Sequence, residues 1–113
     1  MTDASFHVAR IAELEEMLQD DPEDAMLHFL LGSEHQKTGQ PELALDCFAR
    51  ATELDPAYSA AWSGQAAALE ATGDTERALG AWREAYEVAT RQGDNQVARV
   101  ARAALVRNGM APE

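Results

Sequence analysis

Two stretches of this chain align without a gap at a constant offset, Thr38 falling on Thr72, and that regularity constrains the fold more than any other feature. Thr38–Pro56 reads TGQPELALDCFARATELDP, and Thr72–Thr90 reads TGDTERALGAWREAYEVAT. Seven of the 19 aligned positions are identical: Thr38/Thr72, Gly39/Gly73, Glu42/Glu76, Ala44/Ala78, Leu45/Leu79, Ala51/Ala85 and Glu53/Glu87. Phe48/Trp82 and Leu54/Val88 are conservative pairs. A period of this length describes one supersecondary unit that cannot bury its apolar face alone, so the units must stack.

Each unit reads as two helices. The first helix runs over residues 24–38 and ends at Gly39, which suits the left-handed position that terminates a helix. Pro41 falls in the first turn of the next helix, where its missing N–H costs little, and Asp55-Pro56 stops that helix near Leu54. The second unit follows the same plan: Tyr58 to Thr72, Gly73 as terminator, Asp74 as N-cap, then Thr75 to Arg91. Leu27, Leu30, Leu31 and Leu43, Phe48, Ala51 fall on stripes of helical period, and no segment alternates as a strand would.

Flanking helices complete the plan. Residues 5–20 place Phe6, Val8, Ile11, Leu14, Met17 and Leu18 on one broad face and end at Asp21-Pro22, one full period before Asp55-Pro56. They read as the second helix of a preceding half-unit. Residues 94–107 follow Gly93 with Asp94 as N-cap and stop before Gly109. Val97, Val100, Ala101, Ala104 and Leu105 form one stripe, with Arg99, Arg102 and Arg107 largely off it. That pattern suits a capping helix; an interaction helix that docks in a partner's groove is the alternative. The expected architecture is all-α: a single domain over residues 1–113 forming an α-α superhelix of antiparallel helix pairs, with about six helices. Its parts are a half repeat at 5–20, full units at 25–58 and 59–92, and a cap at 94–107.

These residues resemble the tetratricopeptide repeat, in its small free-standing bacterial form. In the first unit Leu31, Gly32, Ala44, Phe48, Ala51 and Pro56 match the family pattern, while His28 and His35 stand in place of Trp and Tyr. In the second, Trp62, Ala78 and Ala85 match; Ala66 replaces the Gly, Leu69 the Tyr and Trp82 the Phe. Gln65 and Thr90 depart from it. The resemblance covers residues 25–92 well and the flanking helices loosely. It implies that Gly32, Ala44 and Ala51 sit where helices cross and a larger side chain would overpack the contact. Phe48 and Trp82 would fill the space between units. Thr90 in place of proline lets its helix run on to Arg91, so the array ends in a different geometry.

The resemblance also implies a function: binding another protein or peptide in a concave groove lined by the first helix of each unit. Carried over position by position, the lining is Met26, Phe29, Ser33, Gln36 and Lys37 from the first unit, Ala60, Ser63, Ala67 and Glu70 from the second, and Val97 and Ala101 from the last helix. This surface is small and apolar with a few polar groups. Met26 and Phe29 are the candidate anchors, unless Phe29 packs on the N-terminal region or the next unit. Grooves of this family that clamp acidic chain ends carry Lys and Asn on the lining helices. Phe29, Ser33, Gly64, Asp94 and Ala98 occupy those positions here, so an apolar or helical segment is the expected ligand.

Composition narrows the partners. The net charge of −11 argues against neutralising nucleic-acid phosphates or an anionic membrane. The charge is uneven: residues 1–24 carry eight acids and one base, whereas residues 77–113 carry six bases and four acids. One cysteine, Cys47, rules out an internal disulfide. Met1-Thr2-Asp3-Ala4-Ser5 has no basic or apolar leader pattern, and the charge-free run Pro56–Leu69 is too short to span a bilayer, so a cytoplasmic protein is expected. Eight arginines against one lysine, with abundant alanine, hint at a GC-rich bacterial genome.

Chemical motifs are absent: there is no phosphate-binding glycine loop, G-x-S-x-G or C-x-x-C. His28, His35 and Cys47 raise a metal site, but both histidines occupy ring-packing positions of the repeat. Gln65 is expected to bond a neighbouring histidine or to lie partly exposed. The acidic runs around Glu13 and Asp20 lack calcium-loop spacing, and Cys47 has no assigned base. The reading is therefore a non-enzymatic interaction module without cofactor or metal. A weakly self-associating repeat protein is the second reading, and a metal-binding or enzymatic protein the third.

Overall fold

The computed structural model describes residues 3–110 as six helices: α1 (Asp3–Asp20), α2 (Ala25–Lys37), α3 (Pro41–Leu54), α4 (Ser59–Ala71), α5 (Thr75–Gln92) and α6 (Asn95–Arg107). There is no strand among the described residues. The ends of the expected 1–113 domain, residues 1–2 and 111–113, lie outside them.

The helix boundaries follow from local chemistry. The carboxylates of Asp24, Asp74 and Asp94 accept the N–H groups of Leu27, Arg77 and Val97, each at 3.2 Å, satisfying one of the unpaired donors at each helix start. At the other end, Gly39, Gly73 and Gly109 hold φ of 75°, 86° and 77°. The turn they make lets Gln40, Asp74 and Met110 donate back to the carbonyls of His35, Leu69 and Leu105 at 2.9, 3.0 and 2.8 Å.

Successive helices pack against one another along the chain. In addition α2 touches α4 and α4 touches α6, whereas α3 and α5 do not meet. Helices α2, α4 and α6 thus converge on the inner, concave side, and α1, α3 and α5 form the outer layer. This is an all-α superhelix of antiparallel helix pairs, 41 × 28 × 21 Å.

The joint between units is built around one ring. Phe48, 1% exposed, projects from α3 between α2 and α4. A Cβ on Gly32 would lie 2.9 Å from that ring, and one on Gly64 only 2.6 Å. Both glycines are therefore needed for close approach. Further along, Ala66, Leu69, Ala78, Ala81, Trp82, Ala85, Ala101, Ala104 and Leu105 form one buried cluster shared by α4, α5 and α6.

The repeat is not uniform to its end. The N-caps of α2, α4 and α6 are Asp24, Tyr58 and Asp94, so the second step along the chain is longer than the first by two. The glycines closing these helices, Gly39, Gly73 and Gly109, keep the same unequal steps. The cause is α5, with 18 residues against 14 in α3. Lacking a proline at Thr90, α5 continues to Gln92, where Gly93 turns left-handed at φ 75°.

Candidate protein-binding groove

The inner helices carry most of the residues expected in the lining, in differing states. On α2, Met26 is 55% exposed, Ser33 and Gln36 are partly exposed, and Lys37 is exposed. On α4, Ala60, Ser63 and Ala67 are partly exposed. Small residues on α4 keep this stretch of the inner face shallow.

Phe29 is partly buried, with ring centroids 5.7 Å from Phe48 and 5.1 Å from Tyr58. It ties α2 to the start of the next unit and presents only part of its ring, which leaves Met26 as the exposed apolar group at that end. The Tyr58 phenol is pushed up by burial, with Asp24 and Asp55 adding to the effect. Glu70, expected in the lining, is engaged internally: its Oε2 accepts from Trp82 Nε1 at 2.9 Å and from Arg107 at 3.4 Å.

The expected contribution of α6 needs correction. Ala101 is 0% exposed, and Val97 packs against the same cluster. Ala101 presents no surface, whereas Val97 is partly exposed, as is Ala67, which packs on the same cluster. Their assignment assumed that the offset between the first two units continues unbroken. With the longer step observed, Tyr58 to Asp94, the equivalents of Ala60, Ser63 and Ala67 are Gln96, Arg99 and Ala103, all exposed. The inner face therefore gains an arginine at its α6 end that sequence reasoning missed. The signal that could have found it is Thr90 followed by Gly93, which marks a longer helix before the last turn. Asp94 and Ala98 are likewise out of register with the clamp positions. Asp94 is a cap whose second oxygen accepts from Ser59 Oγ at 2.6 Å, locking α6 to the start of α4.

Most other polar groups have structural partners, although the buried Nδ1 of His35 has none among the described residues. Gln65 Oε1 accepts from Thr52 Oγ1 at 3.1 Å, so its partner is a threonine of the preceding helix and no histidine. Buried Glu34 contacts His7 of α1, and Lys37 stands 3.6 Å from its other oxygen. Burial pushes the Glu34 carboxyl up, but the His7 hydrogen bond and the charges of Lys37, His7 and Arg10 outweigh it and hold the group below its ordinary value. His28 Nε2 donates to the Pro22 carbonyl at 2.8 Å, and His35 is buried in α2. Burial, with Asp46 and Glu15 adding, pushes the Cys47 thiol up to about 11, a poor nucleophile and a poor metal ligand at neutral pH. No group of three or more His, Cys, Asp or Glu is placed to hold a metal among the described residues, and no described helix is long and apolar enough to cross a membrane.

Comparison with known proteins agrees with this geometry. Residues 25–58 match the family model described as tetratricopeptide repeat. The TPR repeat-containing protein PA0015 of Pseudomonas aeruginosa is 37% identical over 86 residues, covering 76% of this chain and 82% of the relative. The solution structure of protein BPP2914 from Bordetella parapertussis superposes with a TM-score of 0.74 at 32% identity, covering 86% of this chain and 84% of the other. A crystal structure of MamA gives a TM-score of 0.77 at 19% identity over 96% of this chain, a likeness of fold alone. The present chain spans 62% of that MamA chain and 48% of another. Repeat period, helix order and relatives converge, and the chain belongs to the tetratricopeptide-repeat family.

Proposed function

We propose that this protein is a non-enzymatic interaction module that binds an apolar or helical segment of a partner protein along the concave face of α2, α4 and α6. The observation that carries the reading is the inner face itself. It has an exposed apolar anchor, Met26, at one end, a shallow floor at Ala60, Ser63 and Ala67, and Arg99 at the far end. Family membership supports the general role, since tetratricopeptide repeats are generally protein-interaction modules without catalytic chemistry. The binding unit reads as residues 25–58 and 59–92 between the half repeat at 5–20 and the last helix at 94–107.

A segment seated there would bury its apolar side chain on Met26 and the exposed edge of Phe29. Arg99 would favour an acidic or carbonyl-rich stretch at the opposite end. The test is binding of a purified partner to surface variants. Met26→Glu and Ser63→Glu should each weaken it at least about tenfold by placing a charge in a desolvated contact. Glu87→Lys on the outer helix α5 should leave it unchanged. Equal loss in all three, or loss only in Glu87→Lys, would move the binding surface off the groove.

A further inference from the structure

Helix α6 departs from α2 and α4 at two positions. Four residues after the N-caps Asp24 and Tyr58, α2 and α4 carry rings, His28 and Trp62. Both are partly buried, and each donates to a carbonyl just before its helix, Pro22 at 2.8 Å and Pro56 at 2.9 Å. The same position of α6, counted from Asp94, is Ala98. Eight residues after the caps, α2 and α4 carry Gly32 and Ala66, whereas α6 carries Arg102. A small side chain thus replaces a ring, and a guanidinium replaces a small side chain.

With no ring at Ala98, an open depression of about 350 Å³ lies between α5 and α6, lined by Tyr86, Asn95, Ala98, Arg99 and Arg102. Its polar side chains are two guanidiniums, a phenol and a carboxamide, each able to donate a hydrogen bond, and no acid lines it. In a chain of net charge −11, α6 holds three arginines and no acidic residue. Arg99 and Arg102 stand three residues apart, a spacing at which like charges on a helix repel. Neither makes an ion pair among the described residues, whereas Arg50, Arg77 and Arg107 each meet a carboxylate. Asp94, next to Asn95 in the chain, is engaged by the Val97 N–H and the Ser59 hydroxyl.

We infer that this depression binds an oxyanion, a carboxylate or phosphate group carried by a side chain of the partner protein. The two guanidiniums supply charge-assisted hydrogen bonds, and the anion between them replaces their mutual repulsion with attraction. Asn95 and Tyr86 add neutral donors, and Ala98 leaves the room that His28 and Trp62 take up on the earlier helices.

Arg99 alone belongs both to this depression and to the inner face described above; Tyr86, Asn95, Ala98 and Arg102 lie off the expected lining. A segment lying along α2 and α4 would therefore turn its acidic or phosphorylated residue toward α5 as it passes Arg99. The inference rests on the proposed function for the source of the anion. The anion site itself is testable without a partner.

The test is an NMR titration of the labelled protein with inorganic phosphate, with succinate and with chloride, at a constant ionic strength of about 0.1 M. Phosphate and succinate should shift the Arg99 and Arg102 Nε–H and Asn95 side-chain signals saturably, and chloride should not. The tighter of the two names the source, a phosphorylated side chain or a carboxylate. Arg99→Gln and Arg102→Gln should each weaken binding at least about threefold. Ala98→Phe keeps every charge and puts a ring in the depression, and should weaken it as much. Arg91→Gln, outside the depression, and Met26→Glu, at the far end of the groove, should leave it unchanged. These results are read on variants whose helical circular dichroism equals that of wild type. Equal shifts with chloride, unchanged binding in Ala98→Phe, or equal loss in Arg91→Gln would overturn the site. Partner binding that falls on Met26→Glu in a protein that binds neither anion would overturn it too, while leaving the groove reading in place.

Discussion

The two ends of this array are held by different physics. At the C-terminal end α4, α5 and α6 share nine buried residues, with Trp82 and Leu105 at the centre and Met110 folded against them. At the N-terminal end α1 meets only α2, through Leu14, Leu27 and Leu31, next to the buried Glu34 with its His7 and Lys37 partners. The first joint is mostly apolar area and responds little to pH or salt. The second has a small apolar seam and a charged clasp. In a linear array each helix pair depends on its neighbours, so α1 should open before the rest while α4–α6 set the global stability.

The largest change should come from the stronger end. Trp82→Ala removes a ring that is 4% exposed and its bond to Glu70, and should cost about 3–5 kcal/mol in urea unfolding. A loss confined to α6 would mean the three helices do not unfold together. Between the two ends lies the Phe48 joint. Gly64→Ala places a methyl 2.6 Å from that ring, and the overpacking should exceed the helix-propensity gain, for a net loss of about 1–2 kcal/mol. A stabilised Gly64→Ala protein would show that the joint can give way freely.

The charged clasp makes a prediction about acid. Because Glu34 titrates below its ordinary value in the folded protein, its stabilisation is complete above that ordinary value and is lost as pH falls through the lowered one. Amide exchange in α1 should therefore rise in acid before exchange in α4–α6. Glu34→Gln should cost about 1.5 kcal/mol at neutral pH, the worth of a hydrogen bond to a charged group, and should flatten that pH dependence. Uniform exchange along the chain would remove the contrast between the ends. The smallest effect is favourable: Gly80 lies on the exposed face of α5 with nothing within 4 Å of a Cβ, so Gly80→Ala should stabilise by about 0.5–1 kcal/mol.

Much of the fold was legible in the chain because its rules are local. The glycine terminators at 39 and 73 and the acidic caps at 74 and 94 act within one turn, and the constant offset carries the first unit onto the second. The register that carries the proposed groove positions from α2 onto α4 has the same local origin. It failed on α6 because register passes through the length of the intervening helix. Thr90 announces that α5 continues, but only the packed structure fixes where α6 re-enters. The Glu34–His7 clasp and the Thr52–Gln65 bond were also missed, since each joins side chains on different helices and leaves no spacing signature. Gly64 was read as a missing clamp residue, whereas its purpose is to make room for Phe48.

The central claim is that the concave face of α2, α4 and α6 is the binding surface. Placing a photo-crosslinking side chain at Ser63 on that face, and separately at Glu87 on the outer face of α5, tests it most directly. The account predicts that one partner is captured from Ser63, is competed away by Met26→Glu, and is not captured from Glu87. Capture of that partner from Glu87 and not from Ser63 would contradict it.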